Sequence, residues 1–143
     1  MATKFLRFML HFAALVSFFA AASFAQTQVK KTPVQMTSAA SGSEMYAAYC
    51  AACHGKDGKG DGPAAAALKT PPPDLTQLAK NNNGKFPADH IANDLRSGVS
   101  GAHGSVEMPV WGPLFSSMSS HDDSAVQMRI SNLVRYLESL QAK

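Results

Sequence analysis

Apolar positions near the C-terminus fall on one side of a helix. Val126, Ile130, Leu133, Val134, Leu137 and Leu140 are separated by steps of 4, 3, 1, 3 and 3, as in a helix with one face on a core. Asp122 or Asp123 supplies its cap. Upstream, Met45, Tyr46, Tyr49 and Cys50 form a second apolar face. It is entered through Ser41-Gly42-Ser43-Glu44, which has capping-box form, and predicts a helix from about Ser41 to Cys53. Ile91 and Leu95, four apart after Pro87, predict a short helix over Ala88 to Ser97, ended by Gly98. No stretch alternates apolar and polar with period two, and no internal repeat is visible, so nothing argues for a sheet. The expected fold class is all-α.

Breakers separate these helices. Gly55 to Pro63 holds four glycines in nine residues and predicts a loop. No strand feeds it and no Gly-Lys-Ser/Thr follows, so it is not a phosphate cradle. Pro71-Pro72-Pro73 enforces an extended segment, and Gly101 to Pro113 predicts a further irregular stretch.

The N-terminus adds a compartment. Lys4 and Arg7 precede an apolar run from Leu10 to Ala22, and Ser23-Phe24-Ala25 offers a cleavage site. Residues 1–25 therefore read as a secretory signal peptide cut before Gln26. The run is short for a membrane span, which needs about 20 residues, so no stable membrane insertion is expected. Residues 26–40 are polar and read as a flexible leader, leaving 41–143 as one domain. Cleavage removes Lys4 and Arg7, taking the formal charge from +3 to +1. That gives no case for nucleic acid or an anionic membrane as partner.

Chemistry concentrates in Cys50-Ala51-Ala52-Cys53-His54. Cys-x-x-Cys-His is the attachment sequence for a c-type haem. Two thiols three positions apart can each add to one vinyl group of a porphyrin, and the adjacent imidazole then lies under the ring, within reach of the iron. A zinc site or a redox dithiol is the alternative. Zinc needs two further ligands, and the chain has no third cysteine; His90, His103 and His121 form no paired motif. A thioredoxin-like dithiol needs a βαβ pattern, and none is evident. Export agrees with haem, which is attached to such motifs outside the cytoplasm.

What fills the iron's sixth position separates electron transfer from oxygen or ligand chemistry. Met108 is the leading candidate, in Glu107-Met108-Pro109-Val110-Trp111-Gly112-Pro113, where two prolines stiffen the loop and Pro109 drives Met108 toward extended geometry. Met118, in a Ser-rich loop, and His103, between glycines, are rivals. The iron ligands expected are thus His54 and Met108, with Cys50 and Cys53 holding the haem.

The motif, the downstream Met108-Pro109 and the terminal amphipathic helix, in that order, resemble class I cytochromes c. Cys53 to Pro63 is similar to the Cys-His-Gly-x-x-Gly-x-Gly-x-Gly-Pro stretch of bacterial mono-haem members. The resemblance covers residues 42–141. It implies a small haem-centred fold in which N- and C-terminal helices cross, through Gly42 and Tyr46 against Leu133 and Tyr136. It also implies that a proline carbonyl accepts the axial histidine's other N–H, a role Pro63 matches, and it makes Arg96 and Trp111 candidates for propionate contacts.

The expected function is a monomeric periplasmic electron carrier with one covalent haem c and no substrate turnover. Its partners are redox proteins meeting it through small transient interfaces, with Lys56, Lys59, Lys69 and Lys85 available to steer them. The alternatives are a haem domain with an open sixth site, catalytic or gas-binding, and an electron-transfer subunit of a larger dehydrogenase or oxidase complex.

Overall fold

A computed structural model describes residues 34–98 and 108–142. The expected signal peptide, residues 26–33 and His103 lie outside them. Six α-helices follow in order: α1 Gly42–Tyr49, α2 Ala51–His54, α3 Leu78–Asn81, α4 Ala88–Ser97, α5 Trp111–Met118 and α6 Asp123–Ser139. Short 3-10 turns lie at Ala65–Ala67 and Leu75–Gln77. Among the described residues there is no strand, and the all-α expectation holds.

The long helix α6 is the spine, and α1, α4 and α5 all pack on it. Its cap is Asp122, whose carboxylate accepts from the Ser124 N–H at 2.9 Å. At the other end of the fold, the Ser41 hydroxyl accepts from the Glu44 N–H at 3.2 Å and starts α1. The expected helix from Ser41 to Cys53 forms as two, α1 and α2, joined at Cys50. Met45, Tyr46, Phe115, Ile130 and Leu133 are the largest fully buried side chains, so the helix faces read from apolar spacing are the faces that meet.

The crossing of α1 and α6 depends on Gly42. A Cβ there would lie 2.2 Å from the Asn132 carbonyl oxygen and 2.8 Å from the Tyr136 Cβ. With no side chain in the way, the Tyr46 and Tyr136 rings approach to 5.2 Å, a favourable aromatic separation. The Tyr46 hydroxyl donates to the Gly55 carbonyl at 2.7 Å. Burial pushes its pKa up to about 12, with nearby Cys50 adding to the effect, which keeps it a neutral donor.

Two expectations change. Residues 34–40, the described part of the leader expected over 26–40, lie as a strap on α1 and α6. Thr37 is buried, the Asn132 amide donates to the Ala39 carbonyl at 2.8 Å, and the Tyr49 hydroxyl donates to the Gln35 carbonyl at 2.6 Å. Polar composition concealed this because the strap is fixed by hydrogen bonds rather than by apolar side chains. In addition, Trp111–Met118 is a helix, so the last three residues of the irregular stretch expected over Gly101 to Pro113 are helical and Met118 closes a helix rather than lying in a Ser-rich loop. Its Gly112 and Pro113 fall in the first turn, where N–H groups have no intrahelical partner and proline removes nothing.

Gly42→Val should force α1 and α6 apart. Overpacking of this kind typically costs about 1–3 kcal/mol, a large share of a small domain's stability. Denaturant unfolding of the holoprotein should show a lower midpoint; an unchanged midpoint and slope would mean the crossing does not depend on this glycine.

Candidate functional site

Helix α1 runs directly into Cys50, and α2 carries Cys53 and His54; all three residues are half-buried. A four-residue helix has no stability of its own. The glycine loop that follows it supplies what it lacks. The Gly60 N–H donates to the His54 carbonyl at 2.8 Å, the Gly62 N–H to Cys53 at 3.1 Å, and the Ala64 N–H to Ala52 at 2.9 Å. These bonds satisfy the last carbonyls of α2. They require close approach: a Cβ on Gly62 would lie 2.4 Å from the Ala52 carbonyl oxygen, and one on Gly60, at φ +81°, 2.4 Å from that of Pro72. The loop is therefore a cover folded back on the motif, although Lys56 and Lys59 within it are exposed.

The proline segment is tied to the same loop, the Leu75 N–H donating to the Gly58 carbonyl at 2.7 Å. Asp74 caps the turn that follows. Its carboxylate accepts from the Thr76 N–H at 2.8 Å and from the Thr76 hydroxyl at 2.6 Å, and these bonds hold its pKa below the usual carboxylate range. This arrangement brings the Pro73 carbonyl 3.4 Å from His54 Nδ1. The proline facing the histidine is thus Pro73 and not Pro63, which is exposed. With its proton on Nδ1 donated to Pro73, the ring keeps the lone pair on Nε2. Burial lowers the His54 pKa, opposed by the Pro73 bond, so the imidazole is neutral at neutral pH, the form that binds metal.

The Cys50 thiol lacks the character of an activated redox dithiol. Burial pushes Cys50 up to about 12, reinforced by Cys53, whereas redox dithiols work through a depressed pKa. Among the described residues, no group of three or more His, Cys, Asp or Glu side chains converges as a metal site. His90 instead pairs with Asp94 at 3.4 Å, and His121 is exposed in the turn before α6.

Met108 is half-buried and packs against the same core as Cys50. Met118 also packs on that core, at the end of α5. Arg96 donates to the Gln127 side chain. Trp111 is buried, with its ring 5.7 Å from Phe115 and 5.4 Å from Tyr49. Lys69 and Lys85, like the two loop lysines, are exposed.

Leu75, Leu78, Phe86 and Met108 pack inward on the core yet remain only half-covered, as does Cys50. Half-covered apolar side chains on the core that Cys50 also lines, together with two thiols and a neutral imidazole, are what a porphyrin requires, so the donor set and its surroundings fit haem. Pro73 is the residue that sequence reasoning missed. The available signal was Asp74, a turn-capping residue that fixes the direction of the preceding carbonyl.

A family model described as cytochrome C oxidase, cbb3-type, subunit III matches residues 37–137. No curated protein and no solved structure matches the chain. The matched span begins in the strap, contains the whole motif and Met108, and ends in α6. The chain belongs to this family of mono-haem cytochromes c and binds haem c covalently for electron transfer.

Proposed function

We propose that the chain is an exported, periplasmic electron carrier in which Cys50 and Cys53 hold the haem and His54 and Met108 are the axial ligands. The observation that carries the reading is the His54 ring, oriented by Pro73 with Nε2 left for a metal. Haem c, when bound, supplies a one-electron Fe(III)/Fe(II) couple. The chain's own groups do the rest. The glycine loop fixes α2, Pro73 fixes the imidazole and raises its basicity, and the Met108 thioether, if it holds the sixth position, would exclude oxygen and raise the potential. The exposed lysines help steer redox partners met through small, short-lived interfaces. The family description supports a second reading, in which the same domain is an electron-entry subunit of an oxidase complex.

Replacing Cys50 or Cys53 by Ala should weaken or abolish attachment. Mass spectrometry of the exported protein should find the haem mass on the wild type, and free thiols there would contradict the assignment. Met108→Ala should open the sixth position. Its ferrous form should bind CO readily, its potential should fall, and the weak sulfur-to-iron absorption band of the ferric state should vanish. An unchanged spectrum in that variant would move the ligand to Met118 or His103.

A further inference from the structure

Arg129 is 5 % exposed on α6, and its side-chain hydrogen bonds among the described residues go to uncharged partners. A buried guanidinium is costly unless its donors are hydrogen-bonded. Its Nη1 donates to the Thr37 hydroxyl at 3.2 Å, its Nη2 to the Thr37 carbonyl at 3.0 Å and its Nε to the Ser119 hydroxyl at 3.4 Å. The guanidinium carbon also lies 5.9 Å from the Phe115 ring centroid, within cation–π range.

These contacts close a circuit. Thr37 Oγ1 accepts from Arg129, and its own proton goes to the Tyr49 hydroxyl, 2.7 Å away. Tyr49 in turn donates to the Gln35 carbonyl at 2.6 Å. The Tyr49 ring packs 5.4 Å from Trp111 and 6.0 Å from Phe115. Trp111 stacks on Phe115 at 5.7 Å, which returns the circuit to Arg129. Two of its members adjoin the haem ligands in sequence: Tyr49 immediately precedes Cys50, and Trp111 lies three residues after Met108.

We propose that Arg129 is a positioning residue for the sixth iron ligand, clamping the Cys50 end of α1 to the Met108 end of α5 through Thr37, Tyr49, Phe115 and Trp111. The proposal rests on the reading that Met108 is that ligand. An iron–thioether bond is weak, so its occupancy depends on how firmly the two sides are held together. The strap residue Thr37 is then part of the electron-transfer apparatus rather than a tether.

The test uses purified holoprotein of the wild type, Arg129→Met, Thr37→Val and Ile130→Val, the last only trimming the core. Arg129→Met keeps the side chain's bulk but strips the Thr37 carbonyl of its donor; Thr37→Val keeps the shape and breaks the hydroxyl relay. The readouts are CO binding to the ferrous form, the ferric sulfur-to-iron band and the reduction potential. The Arg129 and Thr37 variants should bind CO roughly tenfold more tightly or more, the factor expected from losing hydrogen bonds to a charged group. They should also lose intensity in the ferric band and fall in potential, with haem still attached, while Ile130→Val should match the wild type in all three. If Arg129→Met fails to fold, Thr37→Val carries the test alone. CO binding and band intensity unchanged in Thr37→Val would overturn the proposal, as would equal changes in Ile130→Val. Free CO binding by the wild type would instead overturn the Met108 reading, and the clamp with it.

Discussion

The near-contact of two helix backbones at Gly42 constrains everything that follows it in the chain. Helix α1 can lie on α6 only because nothing projects from Gly42 toward the Asn132 carbonyl. Seven residues later α1 ends, and Cys50 leads into α2. The position of the motif is thus set by packing on the opposite end of the chain. Tyr46 serves both ends of this arrangement, its ring against Tyr136 and its hydroxyl on the Gly55 carbonyl. Helix packing and the mouth of the glycine loop are thereby joined in one side chain.

The domain solves a problem of scale. A chain this small buries little apolar surface of its own, and several apolar side chains on the core that Cys50 also lines remain half-covered. Covalent haem supplies a large apolar body that cannot leave, which lets the glycine loop and the proline segment be built almost entirely from backbone hydrogen bonds. Those bonds run from the loop to α2 and from Leu75 to the loop. Orienting the histidine is then a consequence of closing the loop, because the same closure aims the Pro73 carbonyl at Nδ1.

The features legible in the sequence were those governed by local rules. Ala88–Ser97 was bounded by Pro87 and Gly98, and Ser41 and Asp122 cap their helices through their own side chains. The spacing of Cys50, Cys53 and His54 needed no tertiary information. The crossing at Gly42 came from family resemblance rather than from pattern. Non-local features were hidden. Pro73 faces His54 across nineteen positions, and only the loop bonds bring them together. The strap looked featureless because Thr37 is buried by an arginine ninety-two positions away. Helix α5 was masked by Gly112 and Pro113, which read as breakers unless they are known to fall in a first turn.

The proposed function depends on one arrangement, in which a haem held on α2 would have the Met108 thioether on its far side. Proton NMR of the ferrous holoprotein, with methionine methyl groups isotopically labelled, tests this most directly. A methyl group lying over the porphyrin face feels the ring current. The account predicts one methionine methyl, assigned to Met108 by its loss in Met108→Ala, displaced far upfield of the others. All methionine methyls resonating together in the ordinary range would contradict it.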